Sequence, residues 1–166
     1  MVILGVDPGT RLTGFGIIEV KDQSRVLYAG VIRLNEKQNL ENRLADLHSQ
    51  LVPLFQNYQP QITVVEKIFY SKNIDSAFKL GHARGVCLMT AAAHRSQVAE
   101  YAAKFVKKAI TGSGAATKEH VRLIVTRLLH YVPESTEMDV SDALALALCH
   151  AHSLEVRLQT ARAITT

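Results

Sequence analysis

An apolar segment at the start of the chain, Val2–Val6, ends in one carboxylate, Asp7, and is followed at once by Pro8-Gly9. Near-continuous apolar sequence is typical of a strand buried on both faces, because no side is left for water. Proline lacks the N–H that a strand ladder needs and glycine allows a tight turn, so the strand ends here. Asp7 is therefore expected at the carboxyl end of an inner strand, where open α/β sheets bind their ligands. A charge there is unfavourable unless something compensates it.

The segments that follow predict an antiparallel meander and then a crossover. Gly14–Val20 and Arg25–Leu34 are strand-like, and the turns between them are short and polar. Leu40–Phe55 repeats apolar residues at helical spacing, and Ile62–Glu66 is a second short apolar strand that ends in a carboxylate. A helix between two such strands predicts a right-handed crossover that places the fourth strand parallel to the first.

The second half of the chain is predicted to be helical around one short strand, Val98–Tyr101. One helix is expected to start at Ser76 as its N-cap and to run to about residue 94. Further helices are predicted over 102–110, over 117–130 and from about Met138. The tail after Ser153 is polar and ambiguous. The predicted organisation is one α/β domain over residues 1–155, with a C-terminal tail over 156–166.

Composition narrows the class of protein. A chain of 166 residues with 48% hydrophobic and 20% charged residues suits a single globular domain. A net charge of +4 fits an anionic partner, nucleic acid first, although mildly basic proteins without one are common. Cys87 and Cys149 have no metal-type spacing and are interpreted as buried free thiols in a reducing compartment. No apolar run reaches membrane-spanning length and no signal segment precedes the first strand, so a cytoplasmic location is expected.

Four carboxylates are predicted to meet at one edge of the sheet. Asp7 and Glu66 end strands that are expected to be neighbours, and Asp139 and Asp142 lie three apart at a helix start, where they share a face. Carboxylates about 4 Å apart repel by roughly 1–4 kcal/mol, so protons or cations must neutralise them. No His or Cys lies beside them in sequence, and all-oxygen ligands favour Mg²⁺ or Mn²⁺ over Zn²⁺. Two such ions would bracket a phosphodiester.

Each acid also has a purely structural interpretation. Asp7 could cap a turn, Glu66 could be a solvated surface acid, and the helix pair could be first-turn acids favoured by the helix dipole. The functional interpretation depends on the conjunction of two strand-end acids and a helix pair in a basic chain.

Two further groups of residues have open alternatives. A basic cluster is either a solvated helix face or a set of phosphate contacts, with contact favoured for Lys107 and Lys118. Its members are Lys104, Lys107, Lys108, Lys118, Arg122 and Arg127. Phe69 is either a core aromatic or an exposed ring that stacks on an unpaired base, and the second is favoured. Tyr70 is left open between the same two roles.

The motifs in order resemble the RuvC family of crossover (Holliday) junction endodeoxyribonucleases. The resemblance lies in Ile3–Thr10 with Thr13-Gly14, the strand that ends at Glu66 with Phe69, the segment Lys72-Asn73 to Gly85, and Asp139–Ala145. It covers nearly the whole chain, whereas the first motif alone would also fit sugar-kinase and actin-like ATPases.

The resemblance implies an RNase H-like fold with a five-stranded mixed sheet, and a homodimer that makes paired nicks in a four-way DNA junction with Mg²⁺. By motif match, Asp7, Glu66, Asp139 and Asp142 would be the catalytic, metal-binding carboxylates. It also implies DNA contacts and a partner, the RuvA–RuvB branch-migration complex. The DNA-binding residues implied are Phe69, Lys72, Asn73, Lys107 and Lys118.

Two other functions are weighed against junction cleavage. An actin-like sugar kinase or ATPase would need a second nucleotide-binding lobe, for which 166 residues leave no room. A non-catalytic junction-binding scaffold would be expected to lack the carboxylates. The small-residue helix from Ser76 fits either a plain core or a two-fold dimer interface.

Overall fold

The computed structural model describes residues 1–67, 74–131 and 138–165, which form one five-stranded sheet with helices on both faces. This confirms the predicted α/β class with a mixed sheet. The elements in chain order are β1 (Val2–Asp7), β2 (Leu12–Val20), β3 (Ser24–Arg33), α1 (Leu40–Tyr58), β4 (Ile62–Glu66), α2 (Ile74–Ala93), β5 (Gln97–Tyr101), α3 (Ala103–Thr111), α4 (Lys118–Leu129) and α5 (Met138–Thr165).

The strand order is β3-β2-β1-β4-β5, which places β1 at the centre of the sheet. β1, β2 and β3 pair antiparallel, whereas β4 pairs parallel with β1 and β5 pairs parallel with β4. The predicted meander and crossover are therefore confirmed. Asp7 is the last residue of the central strand.

Both faces of β1 are covered, which explains its unbroken apolar sequence. Successive strand residues point to opposite faces, so Ile3 packs with residues of α3, α4 and α5, and Leu4 packs with residues of α1 and α2. Both side chains are fully buried. A buried strand of this kind fixes the position of the carboxylate that follows it.

Helix caps set the starts of α1 and α4. The Asn39 side chain accepts a hydrogen bond from the Asn42 N–H at 3.3 Å, and Thr117 accepts one from the His120 N–H at 3.2 Å. These bonds satisfy backbone donors that a helix start otherwise leaves unpaired. The cap at Thr117 makes Lys118 the first residue of α4.

The structure corrects one predicted boundary. Ser76 is not a helix cap, because α2 already includes Ile74 and Ser76 lies inside its first turn. Asp75 favours the earlier start, since an acid near a helix N-terminus is stabilised by the helix dipole and this one also pairs with Lys79 at 2.6 Å. α5 continues without a break past residue 155, and the predicted division there stays a prediction.

Two simpler predictions concern the cysteines and the membrane. Cys87 and Cys149 are buried free thiols, as expected. None of the helices in the described ranges is long and apolar enough to cross a membrane.

Candidate active site

The two strand-end acids lie side by side at the centre of the sheet. β1 and β4 are parallel neighbours whose register pairs Val6 with Val65, so Asp7 and Glu66 each follow one member of that pair. Both side chains are partly buried. Sheet pairing alone therefore brings together two carboxylates that lie far apart in sequence.

The helix acids reach the same edge because glycines let α5 approach the sheet closely. A Cβ atom on Gly14 would lie 2.2 Å from the backbone oxygen of Asp139, and one on Gly5 would lie 1.9 Å from that of Ala143. Any larger residue would push the helix outward. Gly14 of β2 lies opposite Asp7 of β1 in the sheet. The close contact between Gly14 and the Asp139 backbone therefore places the start of α5 beside Asp7.

Burial and neighbouring charges raise the pKa of the two strand-end acids. Burial and the neighbouring carboxylates raise the pKa of Asp7 from 3.8 to about 7. After burial, the causes in order of size are the charges of Asp142, Glu66 and Asp139, and only Lys118 opposes them. Burial and the charge of Asp142 also raise the pKa of Glu66, against the lysines. The edge is therefore a site with excess negative charge that favours a bound proton or cation.

Two lysines line a cavity with these acids. The Lys118 ammonium donates to the Asp142 carboxylate at 2.5 Å, and this pairing raises the lysine pKa. The Lys107 ammonium donates to the Ala116 backbone oxygen at 2.8 Å, which holds α3 against the segment before α4. The cavity is lined by Asp7, Glu66, Ala103, Val106, Lys107, Lys118, Val121, Asp142, Ala145 and Leu146.

The donor set fits a hard divalent cation. The ligands on offer are carboxylate oxygens, and such oxygens suit Mg²⁺, Mn²⁺ or Ca²⁺ better than softer metals. The shared rise in pKa of Asp7 and Glu66 shows that positive charge at this edge would be stabilising. In the described ranges, no three His, Cys, Asp or Glu side chains already stand together as a group that could hold a metal ion.

The predicted site residues separate into three sets. Asp7, Glu66, Asp142, Lys107 and Lys118 line the common cavity. Asp139, in the first turn of α5, acts on Asp7 through its charge. The other basic residues of the predicted cluster are not in its lining, and Phe69, Lys72 and Asn73 lie outside the described residues.

Arg84 is a residue near the site that the sequence analysis missed. Its Nε donates to the Glu66 backbone oxygen at 3.2 Å, and its guanidinium pairs with Glu100 of β5. It lines an adjoining cavity with Asp7 and Pro8. A single arginine in a small-residue helix gives no sequence signal for this role. Gly5 and Gly14 carry a signal that was not used above, because glycine inside an apolar strand marks a close approach.

The raised pKa of Asp7 predicts a pH dependence of folding stability in metal-free buffer. The folded protein holds this proton more tightly than the unfolded chain, because the pKa is about 7 when folded and 3.8 ordinarily. The stabilisation is complete below the lower value and is lost as pH rises through 7. Denaturant unfolding in EDTA should show a loss of about 3 kcal/mol between roughly pH 5 and pH 8. If the free energy of unfolding changes with pH in the same way for the wild type and for Asp7→Asn, the raised pKa of Asp7 is contradicted.

The sheet order and the carboxylate edge define the class of protein as an α/β nuclease of the RNase H-like fold. Similarity to known proteins identifies the family within this class. The family model described as "Crossover junction endodeoxyribonuclease RuvC" matches residues 3–150. The chain belongs to this RuvC family, and it is an endonuclease that acts on four-way DNA junctions in recombination. The match decides against the actin-like ATPase alternative.

Relatives and solved structures agree with the family model. The crossover junction endodeoxyribonuclease RuvC of Bdellovibrio bacteriovorus is 42% identical over 166 residues, covering 99% of this chain and 98% of the relative. That of Legionella pneumophila (strain Corby) is 40% identical over 153 residues, with 91% and 87% covered. The structure of T. thermophilus RuvC in complex with Holliday junction substrate superimposes with a TM-score of 0.88 at 30% identity, covering 94% of this chain and 96% of that one. The yeast mitochondrial Holliday junction resolvase Ydc2 shares the fold, with a TM-score of 0.64 at 14% identity.

Proposed function

We propose that this protein resolves four-way junctions by paired, symmetric nicks, and that Asp7, Glu66, Asp139 and Asp142 hold two Mg²⁺ ions at each active site. Mn²⁺ is the expected substitute, because it accepts the same oxygen ligands. The observation that carries the proposal is the set of carboxylates at one sheet edge, where burial first and the neighbouring acids second raise the pKa of Asp7 to about 7. Metal dependence is a property of the family, whereas the identity and number of the ions are our inference.

The metal ions, when bound, supply Lewis-acid stabilisation of charge on the phosphodiester. The chain contributes the surroundings of that reaction. Buried strands β1 and β4 fix Asp7 and Glu66, and α5 brings Asp139 and Asp142 to the same end of the sheet, so only side-chain movements are needed to gather the carboxylates around a cation. Because these acids carry the negative charge of the site, their role is to hold cations rather than to attack phosphorus.

Lys107 and Lys118 are proposed to contact the DNA backbone beside the scissile phosphate. Both line the cavity that the acids line, and Lys118 is 56% exposed, so its ammonium can reach a ligand. Lysine acts on phosphate as a point charge and can stabilise negative charge that develops during cleavage. Phe69, Lys72 and Asn73 belong to the same DNA-binding proposal on the strength of the resemblance alone.

A homodimer is proposed through one face of α2. Three exposed apolar side chains, Ile74, Phe78 and Met89, recur at helical spacing with Gly81 and Gly85 between them, and both glycines have open space around them. Phe78 is 67% exposed, which is unfavourable for a ring of that size. Small residues between apolar anchors let two helices approach closely. Packing of this face against its copy would create an isologous interface.

The dimer predicts the effect of one charge. Phe78→Glu should convert the protein to a monomer in light-scattering chromatography, since the interface would bury an unpaired carboxylate. Leu128→Glu, on exposed α4, is the matched control and should stay dimeric. A dimer that survives Phe78→Glu with unchanged affinity would place the interface elsewhere.

Three wider assignments belong to the same proposal. The RuvA–RuvB branch-migration complex is the proposed partner, and the cytoplasm is the proposed location. Residues 1–155 are proposed to be the nuclease domain and 156–166 a tail, which agrees with a family match that ends at residue 150.

The central test uses an end-labelled synthetic four-way junction with and without Mg²⁺. We expect nicks at symmetric positions in two opposed strands only when the metal is present. A linear duplex of the same sequence should remain uncut, which tests selectivity for structure. Junction binding without metal-dependent nicking would support the scaffold alternative instead.

A further inference from the structure

A second polar cavity lies at the same end of the sheet as the acids, on the side of α1 and α2. β3 and β4 both run parallel to β1, so the helices that follow them begin at the edge where Asp7 lies. The cavity borders the turn after Asp7 and the first turns of both helices. It is lined by Thr10, Arg11, Glu36, Arg43, Asp75, Ser76 and Lys79.

The charges around this cavity leave one cation without an acid. Arg11 pairs with Glu36 at 2.9 Å and Lys79 pairs with Asp75 at 2.6 Å. Both pairs are solvent-exposed, and such pairs exchange partners at little energetic expense. Arg43 has no carboxylate among its contacts in the described ranges, so the lining carries one net positive charge.

Arg43 also has unused hydrogen-bonding capacity. Its Nη1 donates to the Thr10 backbone oxygen at 3.0 Å. Its Nε is buried and has no hydrogen-bond partner in the part of the chain that the structure describes. A buried N–H without a partner is unfavourable, and a small shift of the guanidinium toward a bound anion would let that anion accept from it. The planar guanidinium group of arginine can donate two parallel hydrogen bonds to the oxygens of a phosphate.

We infer that this second cavity binds a backbone phosphate of the junction DNA, a few nucleotides from the phosphate at the acids; the inference rests on the proposed junction cleavage. Thr10 is three residues from Asp7, so their Cα atoms lie at most about 11 Å apart. Consecutive phosphates of one strand are separated by at least their axial rise of about 3.4 Å, so this distance spans at most about three nucleotides. Two anchored phosphates would fix the register of the strand over the acids.

A double-mutant cycle between protein and DNA tests the inference. One side of the cycle is Arg43→Ala, and the other is a junction with a single neutral methylphosphonate, placed in turn two to five nucleotides from the nick on either side. Junction affinity is measured without cleavage, in Ca²⁺, as a function of salt. Arg25→Ala removes an arginine from an exposed ion pair at the opposite edge of the sheet and is the matched control.

We expect Arg43→Ala to weaken junction binding roughly tenfold and to reduce the salt slope by about 0.9. One methylphosphonate should weaken the wild type similarly and leave Arg43→Ala unaffected, whereas Arg25→Ala should behave as wild type. If the two changes are additive at every position, the inference is wrong and Arg43 only braces Thr10. If Arg43→Ala does not fold, the cycle is repeated with Arg11→Ala and with Lys79→Ala, two exposed residues of the same cavity. The inference is then wrong if the effects of these substitutions and of the methylphosphonate on junction affinity are additive at every position. A wild-type protein that neither binds nor nicks the junction would instead overturn the proposed function.

Discussion

Asp7→Asn is expected to lose junction cleavage by more than about 100-fold while it keeps the junction affinity of the wild type. Substitution of residues that merely orient metal ligands already reduces activity by about 10–100-fold, and Asp7 is proposed to be a ligand. The amide keeps the size of the side chain but removes its negative charge. Lys107 and Lys118, which are proposed to hold the DNA backbone, are unchanged, so binding should persist. Gel-shift titration and single-turnover cleavage of a labelled junction measure the two effects separately.

The same variant should be at least as stable as the wild type in metal-free buffer near pH 8. Burial raises the pKa of Asp7 most, and the charges of Asp142, Glu66 and Asp139 raise it further, so a neutral side chain there avoids burying a charge and relieves repulsion. Asp22→Asn, in an exposed turn at the other end of the sheet, is the matched control and should cleave normally. Cleavage by Asp7→Asn at the wild-type rate would remove Asp7 from the site, and a less stable Asp7→Asn would mean that the amide disrupts local packing.

The sheet could be predicted from the sequence because its signals are local. An unbroken apolar segment such as Val2–Val6 must be buried on both faces, and a helix between two such strands forces a parallel crossover. Those two rules already place Asp7 beside Glu66. The order β3-β2-β1-β4-β5 follows from them with little further information.

The approach of α5 to the sheet could be predicted only in part. Gly5 and Gly14 interrupt apolar strands and mark close contacts, but the sequence does not say which helix fills the space. The same limit applies to Lys118, whose bond to Asp142 joins residues 24 apart in the chain. Arg84 gave no signal, because its partners, the Glu66 backbone oxygen and Glu100, come from two different strands. Long-range side-chain pairs depend on packing angles that no local pattern encodes.

Gly5→Ala is expected to destabilise the protein by about 3 kcal/mol or more, because it overpacks a contact between two backbones. The added Cβ would lie 1.9 Å from the Ala143 backbone oxygen and 3.0 Å from the Ala147 nitrogen. Neither atom can turn aside as a flexible side chain would, so α5 must move away from β1. Urea unfolding followed by circular dichroism measures the loss.

The position of Gly5 links this loss of stability to catalysis. Ala143 directly follows Asp142, so a helix displaced at Ala143 carries Asp142 away from Asp7 and Glu66. Gly5→Ala that remains folded at low temperature should therefore cleave junctions poorly even when Mg²⁺ is saturating. Gly30→Ala is the matched control in the same sheet, because its Cβ would meet only the Phe15 ring at 3.1 Å, and a ring can shift. Normal stability and cleavage in Gly5→Ala would show that the position of the α5 acids does not depend on this contact. A loss of stability and cleavage in Gly5→Ala but not in Gly30→Ala would identify a residue without a side-chain functional group as a determinant of the site.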